Sequence, residues 1–142
     1  MRRAFGSSSG TRVFQDHTAL SRSLAELVLA EAKRCAGGQG RFTIALSGGS
    51  TPRDAHRLLG REPISSAFPW DRARFFWVDE RCVEPADPAS NHGNALRDFL
   101  ERVPLPARNV FPMPVDPPPH EGALAYERLL SRFFGPPRGA LP

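Results

Sequence analysis

The chain has 142 residues, 40% of them hydrophobic and 24% charged, a balance that fits one globular domain and excludes fibrous and low-complexity classes. Its apolar runs are a few residues each, against the ~20 that a membrane-spanning helix requires, and Met1-Arg2-Arg3-Ala4-Phe5-Gly6-Ser7 leads into serines rather than an apolar leader. No membrane association is expected, and a cytoplasmic location is. The 19 basic and 15 acidic residues leave a net charge of +4, but the arginines are scattered rather than set in a stripe with interleaved aromatics, so no nucleic-acid partner is expected. Cys35 and Cys82 have neither CxxC spacing nor a supporting histidine cluster, which suggests neither a disulfide framework nor a zinc site; no cofactor is expected.

Residues 1–11 are rich in glycine, serine and arginine without periodicity and are expected to be a disordered end. Arg12-Val13-Phe14 reads as a short strand. Asp16 or Thr18 then caps a helix carrying Leu20, Leu24, Leu27, Val28 and Cys35 on its apolar face, with Lys33 and Arg34 in the last turn and Gly37-Gly38 as the stop. Phe42-Thr43-Ile44-Ala45-Leu46 is a β-rich run, apolar enough for a sheet covered on both faces. It breaks at Ser47-Gly48-Gly49-Ser50, after which Thr51 reads as an N-cap, Pro52 as the first helical position, and Ala55, Leu58 and Leu59 as the buried face.

The pattern recurs. Phe75-Phe76-Trp77-Val78 predicts a second buried strand ending in Asp79-Glu80-Arg81. A helix from about Asn91 buries Leu96, Phe99, Leu100 and Val103 before Pro104 and Pro106. Asn109-Val110-Phe111 reads as a third short strand. Behind Pro117-Pro118-Pro119 a helix carries Tyr126, Leu129, Leu130 and Phe133 up to Gly135, and residues 136–142 read as a linker. Alternating strands and helices of this length predict an α/β fold, with a Rossmann-like, mostly parallel sheet and flanking helices. The sheet is expected to stop short of its last β-α units and so to expose an apolar edge.

In parallel α/β sheets ligands bind beyond the carboxyl ends of the strands, where both distinctive clusters fall. In Ser47, Gly48, Gly49, Ser50 and Thr51 the glycines let the backbone approach a ligand, and the free N–H groups of the following helix favour an anion, phosphate above all. A plain glycine turn would use the same residues, and neither the Walker A nor the GxGxxG spacing is present. Asp79-Glu80-Arg81 offers carboxylates for proton handling and a guanidinium for phosphate. Where the strand geometry continues past Val78, alternation sets Asp79 and Arg81 on one side and Glu80 on the other, and a surface ion-pair cluster is the plainer reading. Ser90 and Asn91 can cap the next helix or, through the Asn91 amide, reach a sugar hydroxyl. Of the histidines, His56 reads as packing, and His92 stands nearest the pocket mouth.

Three ordered segments carry a family resemblance: Ala45-Leu46-Ser47-Gly48-Gly49-Ser50-Thr51-Pro52-Arg53, then Trp70 ahead of Phe75-Phe76-Trp77-Val78-Asp79-Glu80-Arg81-Cys82-Val83, then Asp87-Pro88-Ala89-Ser90-Asn91. From about Val13 to Phe134 the chain resembles the 6-phosphogluconolactonases, α/β enzymes that share their fold with glucosamine-6-phosphate deaminases and use no metal. The resemblance implies that residues 12–142 form an incomplete sugar-phosphate-binding domain acting on 6-phospho-D-glucono-1,5-lactone in the oxidative pentose phosphate pathway.

It implies that Gly48, Gly49, Ser50 and Thr51 line the phosphate, that Arg81 binds the phosphoryl group, and that Asp79 orients the reacting groups or substrate hydroxyls; Ser47 and Asn91 are expected beside them as substrate-binding residues. The deaminases favour a Thr-Gly turn and a tyrosine after the Asp-Glu pair, where this chain has Gly49-Ser50 and Arg81. The family's general base is a histidine in an Asp-Gly-His segment that none of His17, His56, His92 and His120 matches, so the 142 residues alone are expected to be weakly active or inactive. The alternatives are a deaminase-like enzyme and a non-catalytic sugar-phosphate-binding module. The sequence leaves oligomeric state open.

Overall fold

The computed structural model describes residues 10–135, so the expected disordered end, apart from Gly10 and Thr11, and the expected linker 136–142 lie outside the described residues. Its elements are α1 (His17–Ala36), β1 (Phe42–Leu46), α2 (Ser50–Leu59), the single turn α3 (Ile64–Ala67), β2 (Ala73–Trp77), α4 (Asn91–Asp98) and α5 (Pro119–Phe134), with short 3-10 turns at Trp70–Arg72, Leu100–Arg102 and Ala107–Asn109. β1 and β2 pair in parallel, Phe42 opposite Ala73 and Leu46 opposite Trp77. A helical crossover between parallel strands is the expected α/β unit.

The pairing register sorts the side chains by face. Phe42, Ile44, Leu46, Ala73, Phe75 and Trp77 share one face and merge with Ala25 and Ala32 of α1, Leu59 of α2 and Ala95 of α4 in a single core. Trp70, Phe75 and Phe99 meet there with ring centroids 5.9–6.3 Å apart, and truncating a buried ring of this kind to alanine costs about 3–5 kcal/mol. On the opposite face Phe76 stacks on Phe111 at 4.7 Å and is covered by Phe133 and Phe134 of α5.

Several boundaries differ from the sequence reading, each for a local reason. No strand forms at residues 12–14: Val13 is 90% exposed and the segment has no neighbour to pair with. The cap of α1 is Asp16, whose Oδ1 accepts the Ala19 N–H at 2.7 Å. The buried stripe of α1 is Ser21, Ala25 and Ala32, and Leu24 is left exposed, because small residues at the contact bring α1 close to α2 and the sheet. α2 begins at Ser50 rather than after Thr51, and its cap is Gly49 at φ 87°, a left-handed conformation that a side chain would resist.

β2 starts at Ala73 and releases Val78 to solvent. The third strand is reduced to one parallel bridge, Phe75 with Val110, and one hydrogen bond from Phe111 N–H to the Phe75 carbonyl at 2.9 Å. Only one face of β1 is covered, since Thr43 and Ala45 are exposed and no described strand pairs with its outer edge.

Candidate functional site

Both sequence clusters leave the sheet side by side at the carboxyl ends of their strands. Leu46 and Trp77 are the last register pair, and the Val78 N–H continues the ladder to the Leu46 carbonyl at 3.0 Å. Ser47-Gly48-Gly49 therefore departs next to Val78-Asp79-Glu80. Asn91, only 6% exposed, joins the two turns: its Nδ2 donates to the Asp79 carbonyl at 2.9 Å, and its amide lies where a Cβ on Gly48 would sit, 1.8 Å from such an atom. Gly48 is thus glycine because Asn91 occupies the space of its side chain.

Two helix N-termini face this end of the sheet, and they are in opposite states. At α4, Ser90 caps by accepting the Gly93 N–H at 3.0 Å. Glu80 fills the rest: its Oε1 accepts the Asn91 N–H at 2.7 Å and the Arg81 N–H at 2.8 Å, its Oε2 accepts the His92 N–H at 2.7 Å, and the Ser90 hydroxyl donates to Oε2 at 3.3 Å. This carboxylate is the anion that the α4 dipole favours. At α2, Gly49 supplies no cap side chain and the first turn carries no acidic residue. Its first N–H groups remain available to an external anion, as the uncapped amides of a helix start do.

The Glu80 side chain turns to the α4 start while Asp79 and Arg81 contact each other, although β2 has already ended at Trp77. Asp79 and Arg81 are more than half exposed and stand 3.6 Å apart, Oδ2 to Nε, an open contact of small energetic value that leaves the guanidinium accessible. Arg53 differs, because its charge is already committed. It binds Asp98 of α4 through Nε at 2.7 Å and Nη2 at 3.0 Å, and Arg57 Nε adds a third bond at 3.0 Å. Burial works to raise the Asp98 carboxyl, but the Arg53 and Arg57 contacts outweigh it and hold it below the ordinary range. This pairing clamps α2 to α4 beneath the two turns.

The described histidines hold structural positions. His56 packs on Phe99 at 5.7 Å, and burial pushes its pKa down, with Arg53 adding to that shift and Asp98 opposing it. His92 meets the Trp77 ring edge-on at 4.9 Å, and burial lowers its pKa against the pull of Glu80. His17 contacts Asp54 at 3.3 Å, and His120 lies beside Glu121 at 4.0 Å. Among the described residues no group of three or more His, Cys, Asp or Glu is placed to hold a metal ion, and no helix is long and apolar enough to cross a membrane.

On the α5 side of the 78–82 turn lies a groove of about 720 Å³, lined by Val78, Asp79, Glu80, Cys82, Met113 and Tyr126 among others. Tyr126 is a residue the sequence reading assigned to packing alone. Its hydroxyl accepts the Trp77 N–H at 2.9 Å and lies 3.3 Å from the Phe111 carbonyl, so it closes the free end of β2 where the third strand has already left. Its place as the single tyrosine on an otherwise apolar helical face was the available signal.

A family model described as Glucosamine-6-phosphate isomerases/6-phosphogluconolactonase matches residues 15–142. The chain belongs to this family. Within it, a 6-phosphogluconolactonase of Nostoc sp. is 40% identical over 131 residues, which cover 92% of this chain and 53% of the relative. The crystal structure of the devB protein superposes with a TM-score of 0.78 at 31% identity, covering 85% of this chain and 49% of that one. A 6-phosphogluconolactonase structure from Trypanosoma brucei gives a TM-score of 0.74 at 25% identity, with coverage of 85% and 49%. The chain thus spans about half the length of the family members it matches.

Proposed function

We propose that the protein is a 6-phosphogluconolactonase, hydrolysing 6-phospho-D-glucono-1,5-lactone to 6-phosphogluconate in the cytoplasm, and that this chain carries its phosphate anchor. The observation that carries the reading is the contrast between the two helix starts. The α4 terminus is filled by Glu80, while the α2 terminus is uncapped and lies beside the turn that bears the exposed Arg81. A phosphoryl group seated on the amides of Gly49, Ser50 and Thr51 and on the Arg81 guanidinium would meet donors from both turns.

Asp79, on the same side of the turn as Arg81, then orients a sugar hydroxyl or a reacting group, and the Asn91 amide, fixed to the Asp79 carbonyl, lies next to it. Water attack on the lactone carbonyl needs a general base. Among the described residues His56 and His92 pack against aromatic rings, His17 and His120 contact acidic residues, and none lies in the family's Asp-Gly-His context, so no general base is assigned within these 142 residues. The arginine after the Asp-Glu pair, where the deaminases favour tyrosine, supports the lactonase over the deaminase.

A coupled assay of lactone hydrolysis by the intact protein tests the reading. Turnover above the spontaneous rate is expected, with Arg81→Ala raising KM about tenfold or more through loss of a charge-assisted contact. Ammonia release from glucosamine 6-phosphate without lactone hydrolysis would reassign the protein to the deaminases.

A further inference from the structure

We infer that Glu80 is a positioning residue for the phosphate anchor, acting through the α4 N-terminus to fix Arg81 on one side and Asn91 on the other. The inference rests on the lactonase reading for its substrate, and on geometry for the rest. The turn after β2 has few backbone hydrogen bonds of its own: Val78 N–H to the Leu46 carbonyl, and Val83 N–H to the Arg81 carbonyl at 2.7 Å. The side chains of Asp79 and Arg81 stand out in solvent and hold nothing else in place.

What locates this turn is Glu80. It accepts the N–H of Arg81 within its own turn and the N–H groups of Asn91 and His92 across from it, all within 2.7–2.8 Å. The Asn91 side chain then carries the constraint onward, donating to the Asp79 carbonyl and filling the space over Gly48. Glu80 thus ties the Arg81 turn to α4, and Asn91 ties α4 to the glycine turn before α2. The two turns that share the phosphate are set as one unit, and neither depends on its own exposed side chains for its position.

Three N–H donors and one hydroxyl converge on a carboxylate that has no free role toward substrate. Glutamine keeps the shape but has one acceptor oxygen, and its amide nitrogen would face a backbone N–H. Glu80→Gln therefore loosens the turn without removing any group that touches substrate. A purely structural role would reduce the active fraction and so the apparent kcat, leaving KM unchanged. A positioning role raises KM.

The test uses the intact protein with Glu80→Gln, Glu80→Asp, Asn91→Ala and the Glu80→Gln/Asn91→Ala double variant, followed by lactone kinetics, 6-phosphogluconate titration and thermal melting. We expect Glu80→Gln to raise KM and weaken product binding about tenfold, Glu80→Asp to fall between it and the wild type, and the double variant to lose less than the product of the single effects. Unchanged KM and product affinity in folded Glu80→Gln, or fully multiplicative effects in the double variant, would overturn the positioning role. If Glu80→Gln does not fold, Glu80→Asp decides the question by the same KM and affinity criterion. A wild type that turns over no lactone yet binds 6-phosphogluconate would defeat the lactonase reading alone and leave the affinity arm to judge Glu80. A wild type that neither turns over nor binds defeats both.

Discussion

At the scale of single residues, Gly48 and Asn91 illustrate how tightly the site's shape is set. A Cβ at Gly48 would lie 1.8 Å from Asn91 Oδ1 and 2.3 Å from its Cγ. Asn91 is buried and held by the Asp79 carbonyl, so it cannot swing away without giving up that bond. Gly48→Ala is expected to cost about 1–3 kcal/mol in denaturant unfolding, and much less in an Asn91→Ala background, where the space is free. Equal losses in both backgrounds would mean that the clash is not the reason for glycine here. The sequence shows that two glycines stand together after a strand, and it does not show that they serve different purposes. Gly49 is needed for its positive φ, while Gly48 yields room to a residue 43 positions later in the chain. The partners of Glu80 were not legible, because three of its four donors come from α4 and its cap.

At the scale of elements, period and capping signals located α1, β1, α4 and α5, whose stop and start residues act locally: Asp16, Ser90, the prolines before α5 and Gly135 after it. Burial was harder to read. Of the face expected on α1, Val28 and Cys35 pack against the core while Leu24 is exposed, and the fully buried positions go to Ser21, Ala25 and Ala32, since the choice depends on how closely α2 approaches. The Arg53–Asp98–Arg57 clamp had no sequence signal, because its partners lie on different helices 41–45 residues apart.

The same helices predict a pH dependence. Burial holds His56 below its ordinary 6.5, so the unfolded chain takes up the proton first as pH falls. The resulting stability is complete above about pH 6.5 and is lost as pH drops toward the lowered folded-state pKa. His92 contributes with the same sign. Asp98 acts only at lower pH, since its carboxyl lies below its ordinary 3.8. Melting curves from about pH 8 to about pH 5 are expected to show a falling Tm that flattens in His56→Gln. An unchanged slope in that variant would remove His56 from the account.

At the scale of the whole molecule, the described two-stranded sheet sets the glycine turn beside the Arg81 turn while most of its second face stays uncovered. Thr43 and Ala45 are exposed, and Phe76 alone on that side is roofed by α5. The α/β class, the parallel pairing and the strand–glycine turn–helix unit were legible because they rest on local runs and turn residues. The third strand was not, since one bridge and the Tyr126 hydroxyl replace its ladder. The central claim is that the anion site lies at the open α2 terminus and the Arg81 turn, while α4 is already filled from within. An isotope-labelled sample of the intact protein titrated with 6-phosphogluconate and followed by amide NMR tests this most directly. The largest shifts are expected at Gly49, Ser50, Thr51 and Arg81, with Gly93 and Asn94 of α4 unmoved. Shifts centred on the α4 start, or no saturable shift at Gly49 to Thr51, would contradict it.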